Sequence, residues 1–188
     1  MSAQTNIAVL PQMADLPFGE AAWRRACEAA LDQRVDDPVL LDVQRSCSAA
    51  GRWDGVYLLS VLARLETSVL IDAENRVFLD WGTAGEVTLQ PPVGARAPFK
   101  LWVHTHPRFA SYWSSTDTHS LALGAAVVER AMVLGQPGPK AASNARFVAV
   151  EAGPRLARDG PLGEWTEEAP MPWDAWYAQH GLLTEVDA

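Results

Sequence analysis

Lysine is nearly missing from this chain. Of its 15 basic residues only Lys100 and Lys140 are lysines, and the 23 acidic residues leave a formal net charge of -8. That balance argues against a protein that binds nucleic acid by neutralising phosphates. The arginine bias itself reads as genomic composition rather than function. Cysteine is equally scarce: Cys27 and Cys47 have no metal-ligand spacing and are too few for a disulfide framework. Both read as small buried apolar residues. No apolar run approaches the roughly 18 residues that a membrane span needs. The opening residues, Met-Ser-Ala-Gln-Thr-Asn, lack the basic and apolar regions of a secretory signal, so a cytoplasmic enzyme is the simplest expectation. Internal repeats and low-complexity segments are absent too.

What remains is an ordinary globular composition, 48% hydrophobic and 20% charged over 188 residues, enough for one domain with a real core. Residues 1–17 read as an N-terminal extension. Helical spacing of Trp23, Cys27 and Ala30 predicts a helix over 18–33, broken by Asp36-Asp37-Pro38. Further helices are expected over 38–49 and 54–65. The period then changes. Strands at 67–72 and 77–80 form a hairpin around 73–76, and 86–90 is a further strand ended by Pro91-Pro92. The strand 99–104 follows, and Pro107, with no amide hydrogen, is expected to stop it. A helix is predicted over 117–134 from Leu121, Ala125, Val128 and Met132 on one face, then a late strand over 146–151. Residues 152–188 read as a Pro/Trp-rich tail packed on the domain, with a short helix near 173–180.

The stretch that carries chemistry is His104-Thr105-His106-Pro107, then six residues, then Ser114 and Asp117. At roughly 5% usage per residue type, these five fixed positions recur by chance on the order of once in several million starts. Two residues apart at a strand end, both imidazoles face one way. Ser114 and Asp117, three apart at a helix start, are neighbours. Two imidazoles and a carboxylate suit catalytic zinc, with a fourth position left for water. Zn2+ there lowers the pKa of that water towards about 7 and polarises a carbonyl. Such a centre also needs a carboxylate proton shuttle that is not a ligand, and a donor for the developing oxyanion. Ser114 fits the second role. Ser114 and Asp117 have a purely structural reading as well, a capping box with Asp in place of Glu.

The pattern matches the signature of the JAMM (MPN+/JAB) metalloprotease family, and the chain resembles a prokaryotic-type member. The resemblance is best over 66–135 and implies a catalytic domain spanning 18–151. It implies an α/β (α+β) class: a mixed β-sheet flanked by helices, the JAB/MPN fold, similar to cytidine deaminases. It also implies that His104, His106 and Asp117 bind zinc and that Ser114 holds the water or stabilises the oxyanion. A general base is implied at an upstream Glu opening a strand after a helix, where Glu66 fits best. Asp54, Glu74 and Glu86 are the other carboxylates considered. The implied activity is zinc-dependent hydrolysis of a peptide or isopeptide bond, often at the C-terminus of a ubiquitin-like protein. The alternatives are a peptidase acting on an unrelated linear protein, and a non-catalytic scaffold.

Phe109, Tyr112 and Trp113 lie between the ligands. They read either as a groove for an extended substrate tail or as packing anchors. His119 reads as a helix-surface residue rather than a fourth ligand.

Overall fold

Strand order β2-β1-β3-β4-β5-β6 defines an open, mixed six-stranded sheet in the computed structural model, which describes residues 16–150 and 152–181. Only the β3–β4 pair is parallel; the other neighbours run antiparallel. The strands are β1 (Thr67–Ile71), β2 (Val77–Trp81), β3 (Leu101–Ala110), β4 (Arg130–Gln136), β5 (Lys140–Asn144) and β6 (Trp165–Glu167). Five helices accompany them: α1 (Glu20–Leu31), α2 (Pro38–Ala49), α3 (Trp53–Ala63), α4 (Ser115–Gly124) and α5 (Trp173–Gln179). No helix among the described residues is long and apolar enough to cross a membrane.

Alternation along the strands divides the core in two. Val69, Val103 and Leu134 pack with Ala26, Leu40, Val56 and Leu59 of α1–α3, and with Trp176 and Tyr177 of α5. On the other face Leu70, Trp102 and Ala131 pack with Leu121 of α4 and with Trp165. Helix α2 starts where Asp37 accepts hydrogen bonds from the Val39 and Leu40 amides, with Pro38 in the first turn where no amide is needed. Helix α3 is buried almost all round, as a helix squeezed between other helices and a sheet must be.

The helices at 20–31, 38–49 and 53–63, the 67–81 hairpin and the short helix α5 lie where the sequence puts them, within a residue or two. Elsewhere the chain differs. Segment 86–90 forms no strand. Gly82 is packed so closely that a Cβ there would lie 2.1 Å from the Glu86 carbonyl, and the Thr83 amide bonds back to that carbonyl at 2.9 Å. The backbone is satisfied inside its own turn.

Strand β3 is not stopped by Pro107 but continues to Ala110. The β3–β4 register breaks between Thr105 and Ala110, so Pro107 falls in a bulge, where its missing amide disturbs no ladder bond.

The predicted helix over 117–134 ends at Gly124, and its second half is β4. Its apolar run suits a strand buried on both faces as well as a helix. A place beside β3 decides for the strand over Arg130–Gln136. Asn144 stabilises the turn between them, donating to the Ala125 and Val128 carbonyls at 2.9 and 2.8 Å. Strand β5 lies ahead of the predicted 146–151. There Asn144 accepts from the Arg146 amide at 3.0 Å and turns the chain, and residues 146–150 are irregular; residue 151 lies outside the described residues. Residues 165–167 of the tail supply the sixth strand. Of the expected extension, residues 1–15 lie outside the described residues.

Candidate metal centre

His104 and His106 project from one face of β3, and the register sets Ser68 of β1 opposite His104. Helix α4 begins over the same face. Its N-cap is Ser114, whose Oγ accepts from the Asp117 amide at 3.2 Å while Asp117 Oδ2 accepts from the Ser114 amide at 2.7 Å. The expected capping box is therefore present, and it aims the Asp117 carboxylate at the strand. His104 Nε2 lies 2.9 Å from Asp117 Oδ1, and His106 Nε2 lies 3.2 Å from Asp117 Oδ2. One ligand atom from each of the three residues falls within 4.8 Å of the others, and all three side chains are buried.

These positions fit a shared cation. A tetrahedral ion with bonds of about 2.0–2.1 Å spaces its ligand atoms about 3.4 Å apart, close to the separations found. Both ring nitrogens of His104 are buried and neither makes a hydrogen bond, a costly arrangement unless something else satisfies them. The His106 ring is oriented from behind, with Nδ1 3.1 Å from the Ala110 carbonyl, so Nδ1–H donates and Nε2 is left free to ligate. Trp102, two residues before His104 on the same face, stacks on its ring with centroids 4.6 Å apart. Period-two alternation in the sequence exposes that neighbour. The Ala110 carbonyl, a backbone group reached through a bulge, leaves no such trace.

Electrostatics agree with the geometry. Burial holds His104 below its ordinary pKa, in the neutral form that ligates. Burial opposes a charge on His106 too, but the Asp117 carboxylate outweighs it and raises that pKa. Burial would likewise raise Asp117, yet His104, His106 and the Ser114 amide hold its carboxyl far below the usual range.

Glu66 lies near enough to feel the charges of His106 and Asp117. It immediately precedes β1, with its amide donating to the Thr83 carbonyl at 2.8 Å and its carbonyl accepting from the Gly82 amide at 2.9 Å. Continuing the register from Ser68 and His104 by two residues places it opposite His106. It is 5% exposed. Burial, with the Asp117 charge added, pushes its carboxyl up to about 7 against the pull of His106 and the Val87 amide.

The other carboxylates lie elsewhere. Asp54 is bound on the helical side by Arg52, with Nε and Nη2 at 3.0 and 2.9 Å. Glu74 sits in the β1–β2 turn against Arg76 and Arg96. Glu86 is exposed but near enough to add to the upward push on Glu66. Phe109 and Tyr112 are exposed, and the Tyr112 ring lies 5.0 Å from His106. Trp113 packs against the Leu121 core and lies 6.0 Å from His104. His119 is exposed on α4, away from the ligand set. Cys47 is buried and Cys27 half-buried, and burial pushes their thiols up to about 12 and 11, which makes them poor nucleophiles.

No family model, curated protein or solved structure matches this chain.

Proposed function

We propose that the protein is a zinc-dependent peptidase or isopeptidase built on a JAMM-like centre. The observation that carries this reading is the buried His104–His106–Asp117 set with a raised, buried Glu66 on the same face of the sheet. The open mixed sheet with helices on both faces is compatible with the JAB/MPN fold that the motif implies. Two imidazoles and one carboxylate favour zinc over harder cations, and zinc supplies a water acidified towards about pH 7 and a Lewis acid for the scissile carbonyl.

The side chains divide the remaining work. Glu66, ionised, takes a proton onto its carboxylate and later returns it to the leaving amine. The Ser114 Oγ already accepts from the Asp117 amide, so its own proton is free to donate to the developing oxyanion. Exposed Phe109 and Tyr112 flank the ligands and offer apolar surface to an extended protein tail. By the same resemblance, the substrate is the C-terminal tail of a ubiquitin-like protein or its conjugate.

The test is turnover of C-terminally extended ubiquitin-like proteins and of unrelated fluorogenic peptides, wild type against Glu66→Gln. Loss of a general base lowers kcat by about 10²–10⁴-fold, with bound zinc retained. Cleavage of the unrelated peptides alone transfers the reading to a peptidase of another context. Unchanged turnover in Glu66→Gln removes Glu66 from the mechanism.

A further inference from the structure

The bulge that orients His106 is held from outside the ligand set. Between Thr105 and Ala110 the ladder to β4 is broken, and Arg108 sits at φ 69°, a conformation unfavourable for a residue with a Cβ. A bulge of that kind needs external partners to keep one shape. It has them on β4: Ala110 pairs with Gln136, and the Ser111 amide donates to the Gln136 carbonyl at 2.8 Å. The Gln136 side chain then donates through Nε2 to the Tyr57 hydroxyl of α3 at 3.3 Å. The Arg108 amide acts on the same phenol oxygen. Tyr57 in turn stacks on Trp173 of α5, with centroids 5.3 Å apart, and the Trp173 indole donates to the Gly135 carbonyl at 3.0 Å. One hydroxyl on the helical side is thus tied through Gln136 to the end of the bulge, where the Ala110 carbonyl receives His106 Nδ1–H.

We infer that Tyr57 and Gln136 are positioning residues for the metal centre. They act through the bulge to hold His106 in the Nδ1–H tautomer with Nε2 directed at Asp117. The inference rests on reading His104, His106 and Asp117 as a metal site, but it makes a separate claim about the ring of His106. Neither residue touches the ligands, and both substitutions are mild. Tyr57→Phe keeps the stack on Trp173, and Gln136→Ala alters an exposed side chain.

The experiment compares wild type, Tyr57→Phe, Gln136→Ala and the double variant. Zinc affinity is read by competition with a chromophoric chelator, and site geometry by the visible spectrum of the cobalt-substituted protein. The His106 tautomer is read by nitrogen NMR of the metal-free protein in an alkaline pH series, at a point where the ring's own nitrogen shifts show it neutral. Direct outer-shell partners are worth about 10–100-fold in metal affinity, so these residues, one bond further out, are expected to cost about 3–10-fold each. The double variant is expected to be no weaker than the poorer single one, because both remove the same link. The cobalt bands shift, and the Nε2–H tautomer appears in both variants. A purely structural role lowers the melting temperature of the metal-free protein and leaves affinity, spectrum and tautomer unchanged; that result overturns the inference. If wild type binds no zinc, the metal reading falls and the tautomer comparison alone decides: wild-type ratios in both variants reject a positioning role.

Discussion

His104 Nε2 and Asp117 Oδ1 lie 2.9 Å apart without making a hydrogen bond. They come from a strand and a helix start. A buried Nε2 left unpaired costs about 1–3 kcal/mol; a cation held by the two groups would satisfy it, while Nδ1 keeps no partner. Protein purified without chelator should therefore carry one zinc per chain. Zinc at 100 times its Kd should add about 2.7 kcal/mol to unfolding in urea. His104→Ala, His106→Ala and Asp117→Ala should each abolish that increment. An increment that survives any of the three removes that residue from the ligand set.

Burial of Glu66 has a consequence for stability that needs no metal. With its carboxyl at about 7 against an ordinary 4.5, the folded chain keeps a proton that the unfolded chain releases. The group is neutral in both states below about pH 4.5. Above that the native state loses stability until the pH passes about 7. In metal-free protein, Glu66→Gln should therefore gain stability relative to wild type between pH 4.5 and 8. Urea midpoints at the two pH values measure the gain, and an equal difference at both contradicts it.

Gly135 of β4 packs closely against the 109–111 backbone. A Cβ there would lie 2.8 Å from the Phe109 carbonyl and 2.9 Å from Ser111 Oγ. Backbone must move to admit it, and the backbone in question is the end of the His106 bulge. Gly135→Ala should cost about 1–3 kcal/mol in stability as overpacking does. It should also weaken zinc binding, read by chelator competition on the folded fraction. Wild-type zinc affinity in this variant would show that the bulge and the ligands are mechanically independent.

Asp54 is expected to serve structure rather than proton transfer, because it is held in a buried pair with Arg52. Its side chain is 2% exposed and pairs with an Arg52 side chain that is 6% exposed, so Asp54→Ala strands a buried guanidinium. The expected loss is about 3–5 kcal/mol in chemical unfolding, with zinc stoichiometry and kcat per folded molecule unchanged. A fall in kcat comparable to that of Glu66→Gln would return Asp54 to the list of candidate bases.

The ligand set was legible because its three members lie within fourteen residues and each element has a local signal. Alternation sets the two imidazoles on one face, and Ser114 with Asp117 reads as a helix start. The second half of the predicted 117–134 helix was not legible. The apolar run Ala131–Leu134 suits a helix and a buried strand equally well, and only the place beside β3 decides between them. Strands β5 and β6 were hidden for a related reason. They are short, sit among Pro and Gly, and exist because neighbouring strands offer them partners. Nothing in the composition of 165–167 separates an edge strand from a packed tail.

The candidate ligands and the proposed base also differ in how far apart they start. His104 to Asp117 is one short strand–bulge–helix excursion, whose closure costs little chain entropy. Glu66 must come in from 38 residues upstream of His104, just ahead of β1, and β1 is backed only by β2 at the rim of the sheet. With β2 at the edge and β1 next to it, opening of that sheet margin ahead of the rest would carry Glu66 away from His106 and Asp117.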